Sequence, residues 1–271
     1  MQKKQSQDVV PFDTNSTARY VIPNLITLLA ICAGLTAIRF AFESKFSEAV
    51  LMVLLAGFCD ATDGRIARVM RGSSPFGAQM DSLADVLNFG AAPALLLYVY
   101  LLQYAKAFGW IAVLLYCAAC CLRLARFNVM LENKDNEEWQ KNYFIGVPAP
   151  AAALLVLFPL FLKVYGLVPD KQIAYLFCLY TVIISFLMVS RIPVWNGKNL
   201  SWKFKRDWGI FIILLLVAYA GFLATYTWQS LAATSCAYLL FLPISCLMYQ
   251  NEKRKHKKAK SKIVHSSKNV A

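Results

Sequence analysis

Fifteen acidic residues are spread over a chain of 271, and four of them fall close together: Asp60, Asp63, Asp81 and Asp85. Asp60 and Asp63 are spaced i, i+3, and Asp81 and Asp85 i, i+4, so each pair lies on one face of a helix. The intervening RGSSPFG, residues 71–77, is a turn short enough to bring the pairs together. Four facing carboxylates repel one another unless cations lie between them. Hard divalent ions such as Mg2+ or Mn2+ take oxygen ligands, and no soft ligand set competes here. Carboxylates shared by two such ions suit phosphoryl chemistry. Gly64, Ala67 and Gly77 leave space beside the acids for a planar or phosphorylated ligand. Arg65, Arg68 and Arg71 add positive charge at the same level, which fits an anionic substrate. A simple salt-bridge patch would explain the arginines but not the small residues.

Other chemistries are excluded by what is missing. The only histidines, His256 and His265, lie in the basic C-terminal segment, so serine–histidine and cysteine–histidine catalysis have no base. The eight cysteines fall within or beside apolar segments and read as small buried hydrophobes, not as a disulfide framework. Cys117 and Cys120 form a C-x-x-C with no second pair and no histidine nearby, which reads as packing.

The elements that position the aspartates are membrane helices. Hydrophobic residues make up 59% of the chain and charged residues 16%, against about a quarter charged in soluble domains. Charge-free apolar stretches run over 20–38, 86–105, 107–122, 142–162, 172–190 and 208–251. A helix needs about 20 such residues to cross a bilayer. The pattern predicts an all-α polytopic membrane bundle of about eight helices, at 22–42, 46–71, 79–103, 107–130, 146–166, 171–191, 208–228 and 230–250. The second helix is apolar only over 49–59 before it enters CDATDGRIARVM, and the long last run is divided at 225–230, where polar residues cluster. The N-terminus has no signal-peptide core and cleavage site.

Of the 28 lysines and arginines, 23 fall on one side of this arrangement, which puts that side and both termini in the cytoplasm. The segment after residue 250 is polybasic. It reads as a topology signal on a disordered tail that also attracts anionic headgroups, and nothing else in the chain supports nucleic-acid binding. Tyr20, Trp110, Trp195, Trp202, Trp208 and Trp228 read as interfacial aromatics, and Pro148, Pro150 and Pro193 as shapers of helix starts or kinks.

Residues 60–85 read D-x-x-D-G-x-x-A-R-(eight residues)-G-x-x-x-D-x-x-x-D. This resembles the signature of the CDP-alcohol phosphatidyltransferases at all of its fixed positions. The resemblance implies a six-helix catalytic core followed here by two further helices. It implies that an alcohol hydroxyl attacks the phosphatidyl phosphorus of a CDP-lipid and that CMP leaves. It also implies that Asp60, Asp63, Asp81 and Asp85 hold two divalent ions, Mg2+ or Mn2+, with Asp85 as the base. Gly64, Ala67, Arg68 and Gly77, with Asp60 and Asp81, would line the cytidine diphosphate site. A homodimer is implied by the same analogy.

LRLARFNV (122–129), YFIGVPAPAAA (143–153), SRIPVWNGK (190–198) and DSLADVLNFGAAPA (81–94) look like segments of the bacterial and archaeal phosphatidylserine synthases within that family, although Asn88 stands where serine is often found there. The substrates so implied are CDP-diacylglycerol and L-serine, and Arg123, Arg126 or Arg191 would bind the serine carboxylate or the lipid phosphate. Glycerol 3-phosphate, inositol phosphate or choline are the alternative acceptors. A transporter is the rival of another class, but no repeat is evident and the acids cluster at one edge, not mid-span. The expected organisation is an N-terminal segment over 1–20, a membrane core over 21–200, two additional helices over 201–250 and a polybasic tail over 251–271.

Overall fold

Alanine recurs at positions 30, 33, 37 and 41, a spacing that puts all four on one face of a helix. In the computed structural model, which describes residues 14–70, 74–132, 143–190, 193–195 and 207–268, these four alanines are buried. They lie on α1 (Thr14–Phe42), which packs against α2 (Phe46–Val69), whose Ala49 and Ala56 are fully buried. The pair forms the most extensive helix contact among the described elements. Lipid tails are as apolar as leucine, so helices in a membrane associate through close van der Waals packing, and small residues allow it. The α1–α2 turn turns through Ser44 at φ 60. Beside it, hydrogen bonds from Lys45 and Arg39 hold the exposed Glu43 carboxyl below its ordinary range.

Beyond the next turn, Ser74 caps α3 (Pro75–Asp85) by accepting from the Gly77 N–H at 3.0 Å, with Pro75 in the first turn. The helix then widens into a π segment over Val86–Ala91 and resumes as α4 (Ala92–Tyr100). A π turn misaligns the backbone ladder. Here the fully buried Tyr116 donates its hydroxyl to the Phe89 carbonyl at 3.0 Å. Tyr116 belongs to α5 (Ala107–Glu132).

The fifth expected helix is broken into α6 (Ala149–Val156), α7 (Phe158–Phe161) and a 3-10 turn over Leu162–Tyr165, with Pro148 at the start of α6 and Pro159 in the first turn of α7. Next come α8 (Lys171–Val189), α9 (Asp207–Thr225) and α10 (Thr227–Lys268). The long apolar run therefore divides at Tyr226, within the expected 225–230 segment. Two three-residue strands, β1 (Tyr143–Ile145) and β2 (Pro193–Trp195), pair antiparallel with Ile145 opposite Pro193. This small ribbon was not expected.

Each of the eight expected segments has a helical counterpart. Among the described residues, five helices are long and apolar enough to cross a membrane: Val21–Phe42, Pro75–Tyr100, Ala107–Met130, Lys171–Val189 and Thr227–Tyr249. The protein is a multi-pass membrane helical bundle. Its outer surface is apolar, with Phe58, Leu83, Phe186 and Leu215 all exposed, as lipid-facing helices require. The segment after residue 250, expected to be disordered, instead continues α10 to Lys268. Its Lys, Arg and Ala residues favour helix, and extending an existing helix needs no new nucleus.

Candidate active site

The two aspartate pairs meet where α2 and α3 run beside α1. One carboxylate oxygen each from Asp60, Asp63 and Asp81 lie within 4.8 Å of one another. The Asp85 carboxyl lies against that of Asp60, within hydrogen-bonding reach. The described residues thus bring all four expected acids together.

Asp63 is only 2% exposed, and a group the sequence reading missed holds it. The Oγ1 of Thr27 in α1 donates to Asp63 Oδ2 at 2.7 Å and also lies 3.1 Å from the Pro23 carbonyl. Thr27 is one of two threonines in a largely apolar span, so spacing alone could not have marked it. The other Asp63 oxygen, Oδ1, is buried without a partner, as is Asp85 Oδ1. Buried carboxylate oxygens ordinarily have partners, because an unpaired buried charge is costly. Clustered hard oxygens with unfilled acceptor capacity fit a divalent cation. These residues form a cluster that could bind a metal.

Space beside the acids is uneven. A Cβ placed on Gly64 would meet nothing within 4 Å, so α2 is open there. A Cβ on Gly77 would come 3.0 Å from Asn24 Oδ1 and 3.2 Å from Ser74 Oγ, so this glycine also lets α3 approach α1 and accept its cap. Ala67 is half-buried, and the exposed Arg68 folds its Nε back to the Gly64 carbonyl at 2.8 Å.

The three expected arginines differ. Arg126 donates from Nη1 to the Val189 carbonyl at 2.7 Å, tying α5 to the end of α8. Arg123 is within electrostatic range of Asp85, Tyr116 and Tyr238, and its buried Nε has no partner. Arg191 lies outside the described residues, as do Arg71 and Trp202. Asn128 Nδ2 donates to Ser82 Oγ at 3.0 Å, locking α5 to α3 between the two aspartates of that helix. Asn88 is fully buried in the π segment, and neither amide atom has a partner. A Cβ on Gly34 of α1 would come 2.2 Å from its Oδ1, so this close approach requires glycine. The described cysteines, Cys117 and Cys120 included, are free.

The family profile described as CDP-alcohol phosphatidyltransferase matches residues 20–188, which include all four aspartates. The chain belongs to the CDP-alcohol phosphatidyltransferase family. A second profile, described as CDP-alcohol phosphatidyltransferase 2, matches residues 207–243, so α9 and most of the apolar part of α10 also carry a family pattern.

Three relatives named CDP-diacylglycerol–serine O-phosphatidyltransferase illustrate the similarity. The Mycobacterium leprae protein is 40% identical over 181 residues, which cover 67% of this chain and 60% of the relative. The Mycobacterium tuberculosis H37Rv protein is 36% identical over 218 residues, covering 80% and 76%. The Bacillus subtilis protein is 32% identical over 178 residues, covering 66% and 92%.

Proposed function

We propose that this phosphatidyltransferase moves the phosphatidyl group of CDP-diacylglycerol to the hydroxyl of L-serine, giving phosphatidylserine and CMP. The observation that carries the chemistry is the carboxylate cluster, with Asp63 and Asp85 each keeping a buried, unpartnered oxygen. The acceptor is supported by the shared name of relatives that are 32–40% identical.

Asp60, Asp63, Asp81 and Asp85 would hold two divalent ions, Mg2+ or Mn2+. Bound there, the pair would neutralise the diphosphate and lower the cost of CMP departure. The protein's own groups supply the rest. The open flank at Gly64, with Ala67, Arg68 and Gly77, lines the cytidine diphosphate site. Thr27 fixes the rotamer of Asp63. Asp85 takes the proton of the serine hydroxyl as its oxygen attacks phosphorus. The new P–O bond to serine forms, the P–O bond to CMP breaks, and CMP leaves as an anion. No covalent enzyme intermediate is required. The acyl chains enter from the lipid side, and the basic-residue partition supports an orientation with the aspartate edge and both termini in the cytoplasm. A homodimer is carried over from the family resemblance.

The decisive assay offers the purified protein CDP-diacylglycerol with L-serine, glycerol 3-phosphate, inositol phosphate or choline, and follows CMP release. Serine should be the strong acceptor. Turnover with glycerol 3-phosphate and none with serine would refute the acceptor while leaving the transfer chemistry standing.

A further inference from the structure

The buried, unpartnered side-chain atoms among the described residues come from just five residues: Asp63, Asp85, Asn88, Arg123 and Tyr238. Native proteins leave few such groups, and each calls for an explanation. The Asp63 oxygen belongs to the carboxylate cluster. The Asn88 amide abuts Gly34 on α1. The remaining three lie on three different helices, and Arg123 is within electrostatic range of each of the other two.

Arg123 on α5 is within electrostatic range of both Asp85 on α3 and Tyr238 on α10. A guanidinium buried beside a carboxylate would be expected to close on it. Yet the ion pairs of the described residues are Arg39–Glu43 and Lys45–Glu43, and Arg123 and Asp85 form none. Tyr116 is also within range of Arg123, but its hydroxyl is engaged by the Phe89 carbonyl. Two unused donors, Arg123 Nε and Tyr238 Oη, and one unused acceptor, Asp85 Oδ1, are therefore buried around this arginine.

Such a pattern fits a small ligand with an anionic group at one end and a hydroxyl at the other. An anionic group could be the carboxylate of the acceptor or a phosphate of the lipid. The carboxylate is favoured, because the acidic neighbour of Arg123 is Asp85, the residue that would take the proton of the acceptor hydroxyl.

We propose that Tyr238 is a specificity-determining residue for the acceptor: its hydroxyl, with Arg123 Nε, binds the acceptor's α-carboxylate while the acceptor's hydroxyl faces Asp85. This rests on the serine reading above. It gives α10, which lies beyond the six-helix core, a direct part in choosing the alcohol. The helix is placed for it. Ser235, one turn before Tyr238, is fully buried, donates to the Leu231 carbonyl at 2.9 Å and reaches the Leu154 carbonyl of α6 at 3.4 Å.

The test is Tyr238→Phe, assayed in detergent micelles containing CDP-diacylglycerol. A hydrogen bond to a charged group contributes enough that its loss should raise the KM for L-serine about tenfold. The KM for CDP-diacylglycerol should not change. The preference for L-serine over L-serine amide, which lacks the carboxylate charge, should narrow by about the same factor. The thermal midpoint should not fall, because the hydroxyl has no protein partner to lose. An unchanged serine KM with the preference intact overturns the pocket. A raised KM for CDP-diacylglycerol alone assigns the hydroxyl to the lipid phosphate and also overturns it. Failure of the wild-type enzyme to use serine at all overturns the acceptor assignment itself.

Discussion

The hydrogen bond from Thr27 to Asp63 joins residues 36 apart in sequence and is short, 2.7 Å, with a buried carboxylate as acceptor. Replacing Thr27 with valine keeps the branched shape and removes the donor. A bond to a charged group contributes about 1.5–3 kcal/mol. At about 1.4 kcal/mol per factor of ten, its loss corresponds to roughly 10–150-fold in any equilibrium that needs Asp63 held in place. Asp63 already has one oxygen unpartnered, so the valine variant leaves the whole carboxylate without a protein side-chain donor. The expected effect falls on divalent-ion use. Wild-type activity should vanish on complete chelation and return with Mn2+ or Mg2+. In Thr27→Val the Mn2+ concentration giving half-maximal rate should rise at least about tenfold, within the range of that bond. Thr27→Ser should restore most of the difference, because it returns the hydroxyl and removes only a methyl. The serine rescue separates positioning of Asp63 from general loosening of α1 against α2. A valine variant with an unchanged Mn2+ requirement would refute the argument that Thr27 positions a metal ligand. Activity that survives chelation would refute the metal reading as a whole.

Asp85→Asn should lower kcat by about 10²–10⁴-fold, the usual contribution of a positioned general base, with the KM for CDP-diacylglycerol largely retained. Full transferase activity in that variant would remove Asp85 as the base. Gly146 sits at φ +77, and a Cβ there would come 2.3 Å from the Met188 carbonyl, so Gly146→Ala should lower the thermal midpoint by an amount reflecting at least about 1–3 kcal/mol. An unchanged midpoint in detergent would show that the turn between β1 and α6 relaxes freely.

The loop before α6 and the π segment show where pattern reading stops. Residues 79–103 carry an apolar pattern that predicts one helix, and the helix is present from Pro75. Nothing in that pattern marks the π turn at Val86–Ala91, because hydropathy reports what a residue prefers to contact and not how its backbone is hydrogen-bonded. The same limit hid the ribbon between Tyr143–Ile145 and Pro193–Trp195, whose partners lie far apart in the chain. Gly77 was legible as a small residue beside the acids. That it also makes room for Asn24 was not.

Local chemistry was within reach of the sequence for a simple reason. The helical period is set by the backbone, so the spacings of Asp60 with Asp63 and of Asp81 with Asp85 already put each pair on one face. Charge-free length likewise marks the spans, because an unpaired charge in hydrocarbon is costly whatever the fold. Helix pairing is a different matter. In a membrane, lipid and protein interior are similarly apolar, so hydropathy does not say which helix meets which, and small residues and individual polar groups decide it. The placing of Thr27 on Asp63, the closeness of Asn88 to Gly34, and the approach of Tyr238 to Arg123 are of that kind, and only the tertiary structure decides them.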